Sequence, residues 1–115
     1  EEIFIPEKAA KIINSGKKRN AKICAVGTTV MRTLESSVST KNEIIPYEGW
    51  TNIFLFPPSN FQIANCMLTN FHLPKSSLMM QVASFAGFDL LNQVYKEAIK
   101  KKYNFFTYGD AMLIL

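Results

Sequence analysis

An α/β layered domain is the fold class this sequence predicts, on three observations. Short apolar runs alternate with helix-period segments in the order helix, strand, helix, strand, strand, helix, helix, strand. The runs at residues 21–26 and 66–69 are almost continuously apolar, as expected of strands at the centre of a sheet. Of the 115 residues 48% are hydrophobic and nine are Phe, a composition that supplies a core and excludes a disordered segment.

Pro6 suits the first turn of a helix, and Ala9, Ala10, Ile12 and Ile13 give it one apolar side through Asn14, with Gly16 as the expected stop. Residues 21–26 follow as a strand broken only by Lys22. Gly27, Thr28 and Thr29 turn this strand into a second helix that carries Val30, Met31, Leu34 and Val38 on one side. Arg32, Glu35, Ser36 and Ser39 take the other side, with Arg32 and Glu35 spaced to pair across one turn. Residues 40–50 are polar and turn-rich, an exposed loop with a short extended piece at Ile44 and Ile45. A strand is expected at residues 51–56, ended by Pro57 and Pro58 because neither can donate to a ladder.

Residues 66–69 read as a short buried strand, and Pro74 with Ser76 or Ser77 marks the start of a third helix reaching about Phe85, with Gly87 as its stop. Leu78, Met79, Met80, Val82, Ala83 and Phe85 leave only Gln81 and Ser84 polar, which predicts a central helix with almost no solvated face. Leu91, Val94, Tyr95, Ala98 and Ile99 recur at the helical period and predict an amphipathic fourth helix ending in a lysine run. A short aromatic stretch at 103–106 and a turn at Tyr108, Gly109 and Asp110 lead into a last strand at 111–115, which needs a sheet to receive it.

The net charge of +4 resides largely in two runs, Lys17-Lys18-Arg19 and Lys100-Lys101-Lys102. Each follows a predicted helix, where cations complement the dipole, so composition alone is weak evidence for RNA binding. Cys24 and Cys66 lie in apolar runs without a second ligand nearby, which predicts two buried thiols and neither a metal site nor a disulfide framework. No apolar run approaches the length of about 18 residues needed to span a bilayer, and a cytoplasmic protein is expected. With Glu1 in first place and a helix signal almost at once, the chain reads as a piece of a longer protein.

The only histidine, His72, lies in the loop Asn70-Phe71-His72-Leu73-Pro74-Lys75, between the carboxyl end of a strand and the amino end of a helix. Ligands favour that place in α/β proteins. Lys75 opposes the dipole of the helix it precedes, which suggests an anion in the same site, whereas a satisfied loop histidine and a solvated lysine are the plainer reading. Gly27, Thr28 and Thr29 present amide and hydroxyl groups at a helix amino end, suited to an anion or a ribose hydroxyl, although Thr28 or Thr29 capping the helix accounts for them as well. Tyr47 and Trp50 suit stacking on a base, or covering the core.

TNFHLPKSSL at 69–78, YGDAMLI at 108–114 and VGTT-x-x-RTLES at 26–36, in one chain, closely resemble the S-adenosylmethionine:tRNA ribosyltransferase-isomerase family of queuosine biosynthesis. The resemblance implies the carboxyl-terminal part of a larger two-domain enzyme, with residues 1–115 closing an α/β domain that a β-barrel domain interrupts. It implies transfer and isomerisation of the ribosyl group of S-adenosylmethionine onto 7-aminomethyl-7-deazaguanine in tRNA, giving epoxyqueuosine, adenine and methionine. S-adenosylmethionine is then a consumed donor, with no cofactor and no metal. The implied partners are that donor and tRNA, with no membrane, and the expected state is a monomer. His72 stands as the catalytic proton shuttle. Gly27, Thr28, Thr29, Arg32, Asn70, Lys75 and Asp110 stand as substrate-binding residues, and Asp110 suits a local turn cap equally well. Pro57-Pro58-Ser59 departs from the family's usual Pro-Gly-aromatic turn, and a nucleotide- or RNA-binding module without catalysis is the alternative.

Overall fold

The computed structural model describes residues 1–57 and 59–115; Pro58, half of the predicted proline stop, lies outside the described residues. In chain order the elements are β1 (Glu2–Ile5), α1 (Glu7–Lys18), β2 (Cys24–Val26), α2 (Thr28–Ser36), β3 (Tyr47–Trp50), β4 (Cys66–Asn70), α3 (Ser77–Ala86), α4 (Phe88–Lys100) and β5 (Ala111–Ile114).

Among the described residues the strands form two sheets. β1 pairs antiparallel with β3, Ile5 opposite Tyr47 and Glu2 opposite Trp50. Neither strand is where the sequence places one. In β1 the alternation of Glu2, Ile3, Phe4 and Ile5 buries both isoleucines, a period-two signal only four residues long that the helix start at Pro6 obscures. The loop predicted at 40–50 ends in β3, and the strand predicted at 51–56 is absent. Thr51 N still donates to Glu1 O at 2.9 Å, after which the chain leaves the ladder. Leu55 nevertheless fills the core, so the apolar pattern there reports burial without pairing. Trp50 is 73% exposed and does not cover the core.

The second sheet has the order β2-β4-β5, with β4 central, parallel to β2 and antiparallel to β5. Met67 stands at its middle, wholly buried, between Ala25 and Ile114. Met31 and Leu34 from α2, Val82 and Ala83 from α3, and Leu91, Tyr95 and Ala98 from α4 belong to the same core. Val26, Leu68 and Leu113 form an exposed row across the three strands, so these strands are covered less completely than their apolar sequences predict. Cys24 and Cys66 are register partners and free thiols; Cys66 is buried, but Cys24 is exposed, contrary to expectation.

Helix α1 runs past its expected stop, with Gly16 buried inside it. The chain turns instead at Asn20, whose φ of 55° is left-handed. Ala21 N donates to Gly16 O at 2.9 Å and Asn20 N to Lys17 O at 3.1 Å, satisfying the last carbonyls. Helix α3 starts as expected, Met79 N donating to Ser76 Oγ at 3.1 Å. Its surroundings differ from expectation. Leu78 and Met80 are 39% and 40% exposed, while Gln81 is 2% exposed and donates from Nε2 to Thr28 O at 2.9 Å, tying α3 to α2. Gly87, at φ 90°, ends α3 and begins α4, a sharp reversal that a side chain would strain. On α4, Leu91, Tyr95 and Ala98 are buried and Val94 packs partly, but Ile99 faces outward.

Candidate functional site

The loop between β4 and α3 is anchored by Phe71, which is 2% exposed and meets the rings of Phe105, Tyr95 and Tyr103 at centroid distances of 5.2, 5.4 and 5.9 Å. Fixing Phe71 fixes the next residue. His72 N donates to the Tyr95 hydroxyl at 2.7 Å, and the His72 Nε2 lies 2.8 Å from Thr69 Oγ1. The ring is half-buried, and that burial lowers its pKa below the usual histidine value. Neutral imidazole is therefore the form present at neutral pH, able to accept a proton.

His72 lines a cleft of about 250 Å³ together with Asn70, Leu73, Ser76, Phe106 and Thr107. The far wall is held closed by Asp110. Asn104 N donates to Asp110 Oδ2 at 2.7 Å, Asp110 N donates to Asn104 O at 2.9 Å, and Phe106 N donates to Phe71 O at 3.0 Å. Asp110 thus acts locally as a cap, and through that cap it orders the wall facing His72. Asn70 Nδ2 reaches Asp110 O at 3.5 Å from the other side. Phe106 and Tyr108 adopt left-handed φ values of 71° and 61°, uncommon for bulky residues and costly unless the surroundings impose them.

Arg32 lines a second cleft of about 350 Å³ with Asn52, Phe54, Ser77, Leu78 and Gln81. Its expected partner Glu35 is engaged elsewhere, accepting from Gln62 N at 3.0 Å and Ile63 N at 3.1 Å. Arg32 Nη1 instead pairs with Glu1 Oε1 at 2.8 Å, and Thr29 Oγ1 donates to Glu1 Oε2 at 3.5 Å. The helix cap is Gly27, at φ 97°, with no side-chain hydrogen bond, so neither Thr28 nor Thr29 caps α2. Gly27 N donates to Leu68 O at 2.8 Å, which seats this turn against β4. Leu78 borders both the Arg32 and the His72 clefts, which therefore flank the first turn of α3.

Lys75, left-handed at φ 62° and exposed, points to a third and largely apolar cleft of about 250 Å³ with Pro57, Pro74, Met79 and Met80. The fold thus brings Asn70 and His72 together with Asp110 behind them, sets Arg32 across Leu78 in the second cleft and Lys75 in the third, while Gly27, Thr28 and Thr29, at the start of α2, line none of these three clefts. Thr69, Tyr95, Phe106 and Thr107 join the site without having been singled out in the sequence. Thr69 stood three residues before His72 in the same motif, but Tyr95 lies 23 residues away and carries only a core signal. Among the described residues no group of three or more His, Cys, Asp or Glu is placed to hold a metal ion, and no helix is long and apolar enough to cross a membrane.

An α/β domain with a half-buried histidine at the carboxyl end of its central strand is the class these features define. Residues 1–114 match the family model described as queuosine biosynthesis protein, and the chain belongs to that family. It is 56% identical to the S-adenosylmethionine:tRNA ribosyltransferase-isomerase of Flavobacterium psychrophilum over all 115 residues, and 54% identical to that of Bacteroides fragilis over the same length. It spans 33% of each of those relatives. The crystal structure of S-adenosylmethionine tRNA ribosyltransferase from Thermotoga maritima matches it with a TM-score of 0.91 at 44% identity, covering 97% of this chain and 39% of that one.

Proposed function

We propose that residues 1–115 are the carboxyl-terminal part of the α/β domain of a tRNA-modifying enzyme that transfers and isomerises the ribosyl group of S-adenosylmethionine onto 7-aminomethyl-7-deazaguanine, giving epoxyqueuosine. The observation that carries this reading is the 56% identity to a ribosyltransferase-isomerase, extending over every residue of the chain. The geometry around His72 supports it independently. Such a reaction needs a base to remove a proton beside the sulfonium and an acid to assist adenine departure. A half-buried, neutral imidazole held at its backbone by Tyr95 and at Nε2 by Thr69 suits proton transfer. The ring is placed by the fold before any substrate arrives.

S-adenosylmethionine is consumed as the donor, and no cofactor or metal enters the proposal. Asn70, beside His72, offers an amide to orient a ribose or base. Arg32, paired through Nη1 with Glu1, offers the rest of its planar guanidinium to the donor carboxylate or a tRNA phosphate across Leu78. Gly27, Thr28 and Thr29 open the same helix as Arg32 and offer their amide and hydroxyl groups to the donor or tRNA from there, and Asp110 keeps the wall of the His72 cleft in place. Lys75, set apart, suits a phosphate at the rim. The enzyme is taken to be monomeric and cytoplasmic, with tRNA as its macromolecular partner.

The test is free adenine. The full-length protein containing this chain, incubated with S-adenosylmethionine and tRNA bearing the unfinished base, is expected to release adenine in step with loss of that base. Residues 1–115 alone are expected to release none, because a site meeting two substrates draws on the remaining two-thirds of the protein. A full-length protein that binds both substrates without releasing adenine would overturn the enzymatic reading.

A further inference from the structure

We propose that Thr69 is a positioning residue for His72: its hydroxyl oxygen accepts from the His72 Nε2–H, leaving Nδ1 as the ring nitrogen that exchanges the proton. This rests on the proton-transfer role given to His72 above. Thr69 is 4% exposed in the central strand β4, and its Oγ1 lies 2.8 Å from Nε2. Its backbone is held by the ladder to β5, where Met112 stands opposite it, one residue beyond the last β2 pair at Leu68. Its side chain is β-branched, with a restricted χ1, so the oxygen is presented in one direction. His72 is therefore held at two points from different elements, its ring by Thr69 of β4 and its backbone N–H by the Tyr95 hydroxyl of α4. Among the described residues no protein group is hydrogen-bonded to Nδ1.

The direction of the hydrogen bond follows from what must happen when the ring takes a proton. Protonated imidazole donates from both nitrogens, and a half-buried Nε2–H without an acceptor would be left unpaired. An oxygen that already accepts from Nε2–H keeps its bond in both states. The pair then needs no rearrangement during transfer, which is the condition for a preorganised proton acceptor.

The other titratable groups near the loop do not substitute for it. Tyr95 meets the backbone N of His72 and not the ring. The Asp110 carboxylate is engaged by Asn104 N, and Lys75 lines the neighbouring cleft. Tyr103, on the far side, packs against Phe71. No acidic or basic side chain other than His72 lines the His72 cleft among the described residues.

The experiment compares Thr69→Val and Thr69→Ser in the full-length enzyme. Valine keeps the branched shape and removes the oxygen, and serine keeps the oxygen. In Thr69→Val, the His72 titration followed by ¹⁵N NMR, assigned by its loss in His72→Gln, is expected to move to lower pH, because the imidazolium loses its acceptor. Maximal turnover is expected to fall about 10- to 100-fold with little change in KM for the donor, the scale on which a misplaced reacting group loses rate. Thr69→Ser is expected to restore both, and the neutral ring of the wild-type protein is expected to carry its proton on Nε2. A wild-type ring protonated on Nδ1 overturns the proposal, as does an unchanged titration and rate in Thr69→Val. If Thr69→Val is too unstable to study, a Thr69→Ser variant with a displaced titration would be the overturning result. Retained turnover in His72→Ala removes the catalytic reading itself, and the NMR titration shows separately whether the Thr69 contact exists.

Discussion

Phe71 decides whether the His72 loop has one conformation. It is nearly wholly buried and touches three aromatic rings drawn from α4 and the segment after it. Truncation to alanine removes the transfer energy of a buried ring and leaves a cavity, about 3–5 kcal/mol for such a substitution. Phe71→Leu keeps most of the apolar volume and loses the ring geometry, about 0.5–1.5 kcal/mol for each aromatic pair at most. The expected order is wild type, then leucine, then alanine. Hydrogen exchange in the full-length protein reads this locally. Amides of residues 95–106 should exchange about 100-fold faster or more in Phe71→Ala, since each 1.4 kcal/mol is a factor of ten. Protection within a factor of about three of wild type would refute the view that Phe71 anchors the loop, and with it the argument that the fold places His72.

Three further outcomes follow from the same contacts. Val82 is wholly buried, so Val82→Asp should abolish folding of the domain, an unpaired buried charge costing about 3–5 kcal/mol; an unchanged melting temperature would show α3 to be peripheral. Glu35→Ala should speed amide exchange at Gln62 and Ile63 selectively, because each loses a charged acceptor contributing about 1.5–3 kcal/mol, and unchanged exchange there would contradict the contact. Burial depresses the His72 pKa, so the folded state binds fewer protons than the unfolded state below the ordinary value of about 6.5. Its contribution to stability should thus be constant above that pH and decline below it, levelling off once the folded state protonates too. The pH dependence should flatten in His72→Gln, and identical slopes in the two proteins would rule the linkage out.

The helices and the strands β2 and β4 were legible because each carries a full period or a nearly continuous apolar run. Residues 77–86 needed only the serine cap and Gly87 to be bounded closely. The strands β1 and β3 were not legible, since a four-residue antiparallel partner more than forty residues away leaves no local mark. Residues 51–56 misled because alternating apolar side chains can fill a core from an irregular segment. Gln81 inverted the expected burial of α3, for a reason lying on another helix: its buried amide finds an acceptor in the Thr28 carbonyl. At the site, His72 could be found from its place between strand and helix. Its partners could not, because Tyr95 looks like any core aromatic until the fold brings it to the loop. Arg32 and Glu35 showed the reverse error, a spacing that permits a pair but loses to partners brought in by tertiary structure.

The central claim is that His72 transfers a proton, and single-turnover adenine release at saturating S-adenosylmethionine addresses it most directly. In the full-length enzyme, His72→Ala should lower that rate about 10²–10⁴-fold while donor binding changes little, as loss of general acid or base assistance does. Lys75→Ala, set in a separate cleft, should instead weaken binding in a salt-dependent way with the rate preserved. Near wild-type release by His72→Ala would contradict the account, leaving His72 a residue that orders its loop and placing the base in the part of the enzyme beyond these residues.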